Sequence, residues 1–179
     1  MRTDAGLGMG REEGCGPDSA AAWRKRLHRA VFPAGDVPRI PPYNPSVSGA
    51  SEFRVRTSRK IERLDITKQV ERAAKALGRE DGALLVTTPH TTAAVTVGEA
   101  WDPDVTGDIE RALDAWVPNV RFDHGEGNSP AHFLSEAIGN ARLVPLEKGK
   151  ALLGRWQGVF LIELDGPRER TVRVAALAP

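Results

Sequence analysis

The residues from 52 to 179 predict an α+β domain, a mostly antiparallel sheet packed with two or three helices. Three observations predict it: short runs rich in β-branched residues, a few helical runs with clear end signals, and turn residues joining neighbouring strands. Strict βαβ alternation is absent. The chain has 179 residues, near the size of a single domain. Gly and Pro fill 13 of its first 50 positions, a share typical of unstructured segments. Residues 1–51 are therefore read as a disordered Gly/Pro-rich extension, in which residues 19–32 have the pattern of a short basic amphipathic helix.

From Glu52 the pattern is regular. Phe53 to Thr57 alternates apolar and polar residues, as a half-exposed strand does. Asp65 or Thr67 caps a helix that runs to Leu77, with Val70, Ala73, Ala74 and Leu77 at helical spacing and Gly78 as its C-terminal stop. Ala83–Thr88 and Ala93–Val97 are strands. Asp102-Pro103 is an N-cap followed by proline at the first helical position. It opens a helix with Val105, Ile109, Leu113 and Trp116 on one face. Residues 119–130 lack an apolar period and form a loop. Ser129-Pro130 then repeats the cap signal for a short helix from His132 to Ile138. Glu147-Lys-Gly-Lys150 and Asp165-Gly-Pro-Arg168 each lie between two strand-like runs and read as hairpin turns.

Composition narrows the function. Charges nearly cancel, at a formal +1, so a nucleic-acid partner is not expected. A single cysteine excludes an internal disulfide and a multi-thiolate zinc site. No apolar run approaches the roughly 20 residues that span a bilayer, and the N-terminus lacks a secretory apolar run. A cytoplasmic protein with no membrane partner is expected.

Beyond residue 51 there are three histidines: His90, His124 and His132. Each lies in a loop or at an element end, where functional groups are displayed. Three neutral imidazoles can bind a divalent ion, zinc or a similar metal, and leave a position open. Spacing alone equally allows three unrelated histidines. Glu99 ends an apolar strand and is a candidate general base. Asn128 sits between two of the histidines, where it can orient a ring or shape a turn. Gly154-Arg-Trp-Gln-Gly158 offers backbone close to a ligand. Its Trp156 has a face for stacking and Gln157 an amide for recognition.

Taken in order, His90-Thr-Thr-Ala-Ala-Val-Thr-Val-Gly-Glu99, Asp102-Pro-Asp-Val105, His124-Gly-Glu-Gly-Asn-Ser-Pro-Ala-His132 and Gly154-Arg-Trp-Gln-Gly158 resemble the motifs of the secondary thiamine-phosphate synthase family, the YjbQ-like proteins. The resemblance runs from about Glu52 to Ala176. It implies a YjbQ-like α+β subunit that assembles as a homotrimer. It also implies a transferase joining hydroxymethylpyrimidine diphosphate to a thiazole phosphate, with release of diphosphate. By motif position, His90, His124 and His132 become metal ligands, and Glu99, Asn128, Trp156 and Gln157 become pocket residues. Two positions depart from the pattern. Gly98 stands where Asn often precedes the Glu, and Arg155 where Thr usually precedes the Trp. A guanidinium at 155 suits an anionic ligand, so Arg155 joins the substrate-binding candidates. Two other readings remain open at this level: a metal-dependent hydrolase of small phosphorylated metabolites, and a non-catalytic oligomer that binds a metal or metabolite.

Overall fold

The computed structural model describes residues 49–177, so the short helix expected near residues 19–32 lies outside the described residues. The elements run in the order β1 (Ala50–Arg56), β2 (Glu62–Asp65), α1 (Thr67–Leu77), β3 (Gly82–Thr87), β4 (Ala93–Glu99), α2 (Pro103–Ala115), α3 (Ser129–Ile138), β5 (Ala141–Glu147), β6 (Lys150–Ala151), β7 (Gln157–Glu163) and β8 (Glu169–Leu177). They form two antiparallel sheets, one in the order β1-β8-β3-β5-β6 and the other in the order β2-β7-β4. This is the expected α+β class, with three helices.

Two apolar layers hold it together. Val55, Leu84, Val86, Val144, Val172 and Val174 of the larger sheet meet Val95, Val159 and Leu161 of the smaller one, with Val70, Ala73 and Ala74 of α1 in the same cluster. Ala94, Phe160, Ile162 and Leu164 point the other way, onto Leu113 of α2 and Ala131 and Leu134 of α3. The smaller sheet is thus covered on both faces. That is why β7 reads as a continuous apolar run and not as an alternation.

Several local expectations hold for physical reasons. Gly78 takes a left-handed φ of 64° and ends α1 through its N–H on the Lys75 carbonyl. Asp102 caps α2 by accepting from the Asp104 N–H, with Pro103 just inside.

Four details differ. β2 is a strand that its four-residue length hid. α3 begins at Ser129, with Asn128 as its cap residue, so Ser129-Pro130 lie inside its first turn. Trp116 leaves the buried face of α2 and lies on the surface, edge-on to Phe133 at 6.1 Å. Asp165–Arg168 is not a hairpin turn. The strands on either side of it belong to different sheets, and this segment carries the chain from one layer to the other. The patterns of the strands explain it: β7 is buried from Gly158 to Glu163, whereas β8 alternates buried with partly exposed residues, as a strand with one open face does.

Candidate functional site

The motif residues collect at two ends of the small sheet. Ala93 pairs with Glu163 at one end of the β4–β7 ladder and Glu99 with Gln157 at the other. Six residue steps separate these ends, about 20 Å of extended chain.

At the first end are the histidines. His124 lies in the loop before α3 and His132 one turn into that helix. Their ring centroids are 5.7 Å apart at an interplanar angle of 79°. Two imidazoles on one tetrahedral ion, each bonded at about 2.0–2.1 Å, would place their centroids about 5 Å apart, a separation close to that of this pair. The His124 Nε2 also lies 3.8 Å from a Glu126 carboxylate oxygen.

His90 follows β3 and is turned another way. Its Nε2 accepts the Thr171 N–H at 2.9 Å, which leaves the ring proton on Nδ1 in the neutral form. Burial, then the Arg170 guanidinium, hold its pKa below the usual histidine value, with Arg173 adding to them and Glu163 opposing. Among the described residues, no three His, Cys, Asp or Glu side chains gather closely enough to hold one ion. One chain therefore unites His124 with His132 and does not bring His90 into the same ligand set.

Asn128 lies beside this end. Its Nδ2 donates to Asp165 Oδ2 at 3.1 Å, while its Oδ1 is buried without a partner. Asp165 leads into a polar network that sequence reasoning missed. Glu163 accepts from the N–H groups of Leu164 and Asp165, from the Thr57 hydroxyl and from Arg170. Arg170 also donates to the Thr92 hydroxyl at 3.0 Å. Asn128, Asp165, Glu163, Arg170 and Thr92 form one hydrogen-bonded chain, which runs from the start of α3 to the segment after His90. The signal was available in the sequence: a carboxylate between Ile162 and Leu164 in an apolar strand needs a buried partner.

At the second end, Trp156 is 43% exposed and meets the 73%-exposed Trp101 edge-on at 5.1 Å. The Arg155 guanidinium lies 4.5 Å from the Trp156 ring centre. Trp101 is a further ligand-facing candidate that the motifs did not mark. Glu99 and Gln157 are engaged locally. Glu99 Oε1 accepts the N–H groups of Trp101 and Asp102, which shapes the entry to α2. Gln157 Oε1 accepts the Gly154 N–H at 2.8 Å. Gly158 has a packing role, because a Cβ there would lie 2.8 Å from both the Ala100 Cβ and the Thr67 hydroxyl.

The departure at Gly98 also has a structural account. A Cβ at 98 would lie 3.1 Å from an Arg63 guanidinium nitrogen. That guanidinium donates to the Glu99 carbonyl and the Thr106 hydroxyl and lies 3.3 Å from the centre of the Phe160 ring. Glycine leaves the space that this arginine fills.

The family model described as UPF0047 protein YjbQ-like matches residues 51–178. The chain belongs to this family. It is 42% identical over 121 residues to the UPF0047 protein YugU of Bacillus subtilis, covering 66% of this chain and 92% of that one. A UPF0047 protein of Methanocaldococcus jannaschii is 40% identical over 120 residues, covering 66% and 87%. Among solved structures, an uncharacterised YjbQ/UPF0047-family protein of Clostridium acetobutylicum superposes with a TM-score of 0.68 at 42% identity, covering 71% of this chain and 99% of that one. A hypothetical protein of Aeropyrum pernix gives a TM-score of 0.68 at 38% identity, covering 73% and 98%. The YjbQ-like fold is therefore common to this chain and its relatives. Among the described residues of this family member, no helix is long and apolar enough to cross a membrane.

Proposed function

We propose that this YjbQ-like protein is a metal-dependent transferase with secondary thiamine-phosphate synthase activity, working at sites shared between subunits of a homotrimer. The observation that carries the metal part is the His124–His132 pair, whose spacing suits one divalent ion of the zinc type. A divalent ion there would neutralise charge on a departing diphosphate. His124 and His132 would hold it. His90, bound to Thr171 in the single chain, would join them only after turning away from that N–H.

The rest of the chemistry rests on this chain's own groups. Arg155 would hold a substrate phosphate, and Trp156 with Trp101 would stack on the pyrimidine. Asn128, bonded to Asp165, would shape the wall of the histidine end against which the substrate lies. The second carboxylate oxygen of Glu99 would orient the pyrimidine ring, its first being held by the turn.

The division of the site supports the trimeric reading. Two different patches of exposed apolar residues flank the two ends: Val120, Phe122 and Phe133 on the loop and helix that carry His124 and His132, with Trp116 of the α2 end packed on Phe133, and Trp101 with Trp156 at the other. A surface that pairs one patch with a different one is heterologous, and a threefold rotation between subunits would close it into a ring of three. Such a ring would set the tryptophan end of one subunit against the histidine end of the next, bridging the 20 Å that divides them in one chain.

The test is metal content and turnover of purified full-length protein, wild type against His124→Ala and His132→Ala. Near-stoichiometric metal and diphosphate release from the paired substrates, both lost in the two variants, is the expected result. Metal bound equally by all three proteins would refute the assignment. Chelator-sensitive release of phosphate from a simple ester, without coupling of the two substrates, would mark a hydrolase in place of a synthase.

A further inference from the structure

A second site is built at the other end of β3 from His90. Thr87, near the histidine end, pairs with Ala141, whereas Gly82 pairs with Leu146 beside the β5–β6 hairpin. Between that hairpin and the last turn of α1 is a cavity of about 610 Å³ lined by Lys75, Arg79, Lys148 and Lys150 and by Glu71 and Glu80. Four cations thus face two carboxylates. Among the described residues, only Lys148 of these four reaches a carboxylate within ion-pair distance, Glu147 at 4.0 Å and outside this lining. Lys75 and Arg79 are explained in part by the negative end of the α1 dipole, but Lys148 and Lys150 lie on a hairpin, where no helix dipole calls for them.

The hairpin tip supplies an independent observation. Lys148 has φ 50° and Gly149 φ 73°, the positive pair of a type I′ turn, and Lys148 is the only non-glycine residue with positive φ among the described residues. Asn, Asp or Gly suit its position; lysine has neither their small size nor their local hydrogen bond. The strained backbone is tied down on the α1–β3 segment. The Gly149 N–H donates to the Glu80 carbonyl at 2.8 Å and the Lys148 N–H to Asp81 Oδ1 at 3.3 Å. A lysine held in such a conformation, at the edge of a cationic cavity, points to a role for its charge.

We propose that this cavity binds a small soluble phosphorylated molecule, its phosphate or diphosphate held by Lys148, Lys150, Lys75 and Arg79. Glu71 and Glu80 accept from hydroxyl or amine donors on the same ligand. The lining consists of charged side chains and glycine, so it offers no seat for an acyl chain. The site is separate from the histidines and independent of any metal there.

The experiment is titration calorimetry of the full chain with inorganic diphosphate at low salt, in the presence of EDTA. Wild type, Lys148→Asn, Lys150→Gln and the His124→Ala/His132→Ala double variant are compared, each with its Tm. Wild type and the histidine variant should bind alike, and each lysine substitution should weaken binding about fivefold. Lys148→Asn should also raise the Tm, because asparagine suits the turn, so its weaker binding cannot come from unfolding. Absence of diphosphate binding, or binding lost in the histidine variant and kept in Lys148→Asn, would overturn the proposal. Either result would leave the histidine-site reading to its own metal assay.

Discussion

Glu163 and Arg170 clamp the two sheets together at the point where the chain passes from one to the other. Glu163 ends β7 of the small sheet and is 0% exposed; Arg170 is the second residue of β8 of the large sheet and is 4% exposed. The guanidinium grips both carboxylate oxygens, through Nε at 2.7 Å and through a terminal nitrogen. Thr57 and two backbone N–H groups complete the carboxylate's partners. A buried pair so fully bonded is costly to break from one side, because the remaining charge stays buried. Arg170→Met should therefore destabilise the protein by about 3–5 kcal/mol in urea unfolding. The Arg170→Met/Glu163→Leu double variant should recover a large part of that loss. A single variant within 1 kcal/mol or so of wild type would show that the pair is not a clamp.

The same network sets a pH dependence in two steps. Burial alone would raise the Glu163 pKa, but Arg170, the Asp165 N–H and Thr57 outweigh it and hold the carboxyl below its usual range. Asp165 is also held low, by Asn128 and Arg168 against burial. A folded pKa below the unfolded one means that the unfolded chain takes the proton first. The stabilisation is complete above about pH 4.3 and is lost as pH falls from there through the folded value. His90 has a depressed pKa too, so its neutral form favours folding above about pH 6.5, and this share fades as pH drops below it. Urea midpoints from pH 8 to pH 3 should fall first below 6.5 and then more steeply below 4.3. His90→Gln should remove the first step alone.

Most elements were legible because each carries its own end signals. Asp102-Pro103, Gly78 and the Lys148-Gly149 turn act through neighbours in sequence, and a local reading finds them. β2 was missed because four residues cannot show a period. The segment after β7 was misread because two apolar runs around a turn look alike whether they pair or part. Only the second layer, α2 and α3 over Phe160 and Ile162, separates the cases. For the site, the motifs marked His124 and His132, which the fold brings together. They also grouped these with Trp156 and Gln157, which the fold places at the opposite end of β4. Sequence order cannot show that separation, because it records neighbours along the chain and not the length of a sheet.

Gly98 and Arg63 should behave as a unit. The guanidinium is held by the Glu99 carbonyl, by Thr106 and by the Phe160 ring, so it has little freedom to retreat from a new Cβ 3.1 Å away. Gly98→Asn should cost about 1–3 kcal/mol through overcrowding. Against an Arg63→Met background the cost should shrink, giving a coupling of about 0.5–3 kcal/mol in a double-mutant cycle. Equal costs in both backgrounds would show that the glycine is not there to make room for the arginine.

The proposed site, shared between subunits of a homotrimer, makes a prediction that no single-chain site can make. His132→Ala would disable the histidine end and Trp156→Ala the tryptophan end, and each homotrimer would have no intact site. In mixed trimers, an interface joining the histidine end of a Trp156→Ala subunit to the tryptophan end of a His132→Ala subunit would restore one complete site. Random assembly from equal parts places such a junction at about one interface in four. Denaturing the two variants together and refolding them should therefore return about a quarter of wild-type coupling activity, while each refolded alone stays inactive. Activity in the mixture no higher than in either variant alone would place both halves of the site within one subunit. The 20 Å between them would then require a different ligand pose or a different reaction.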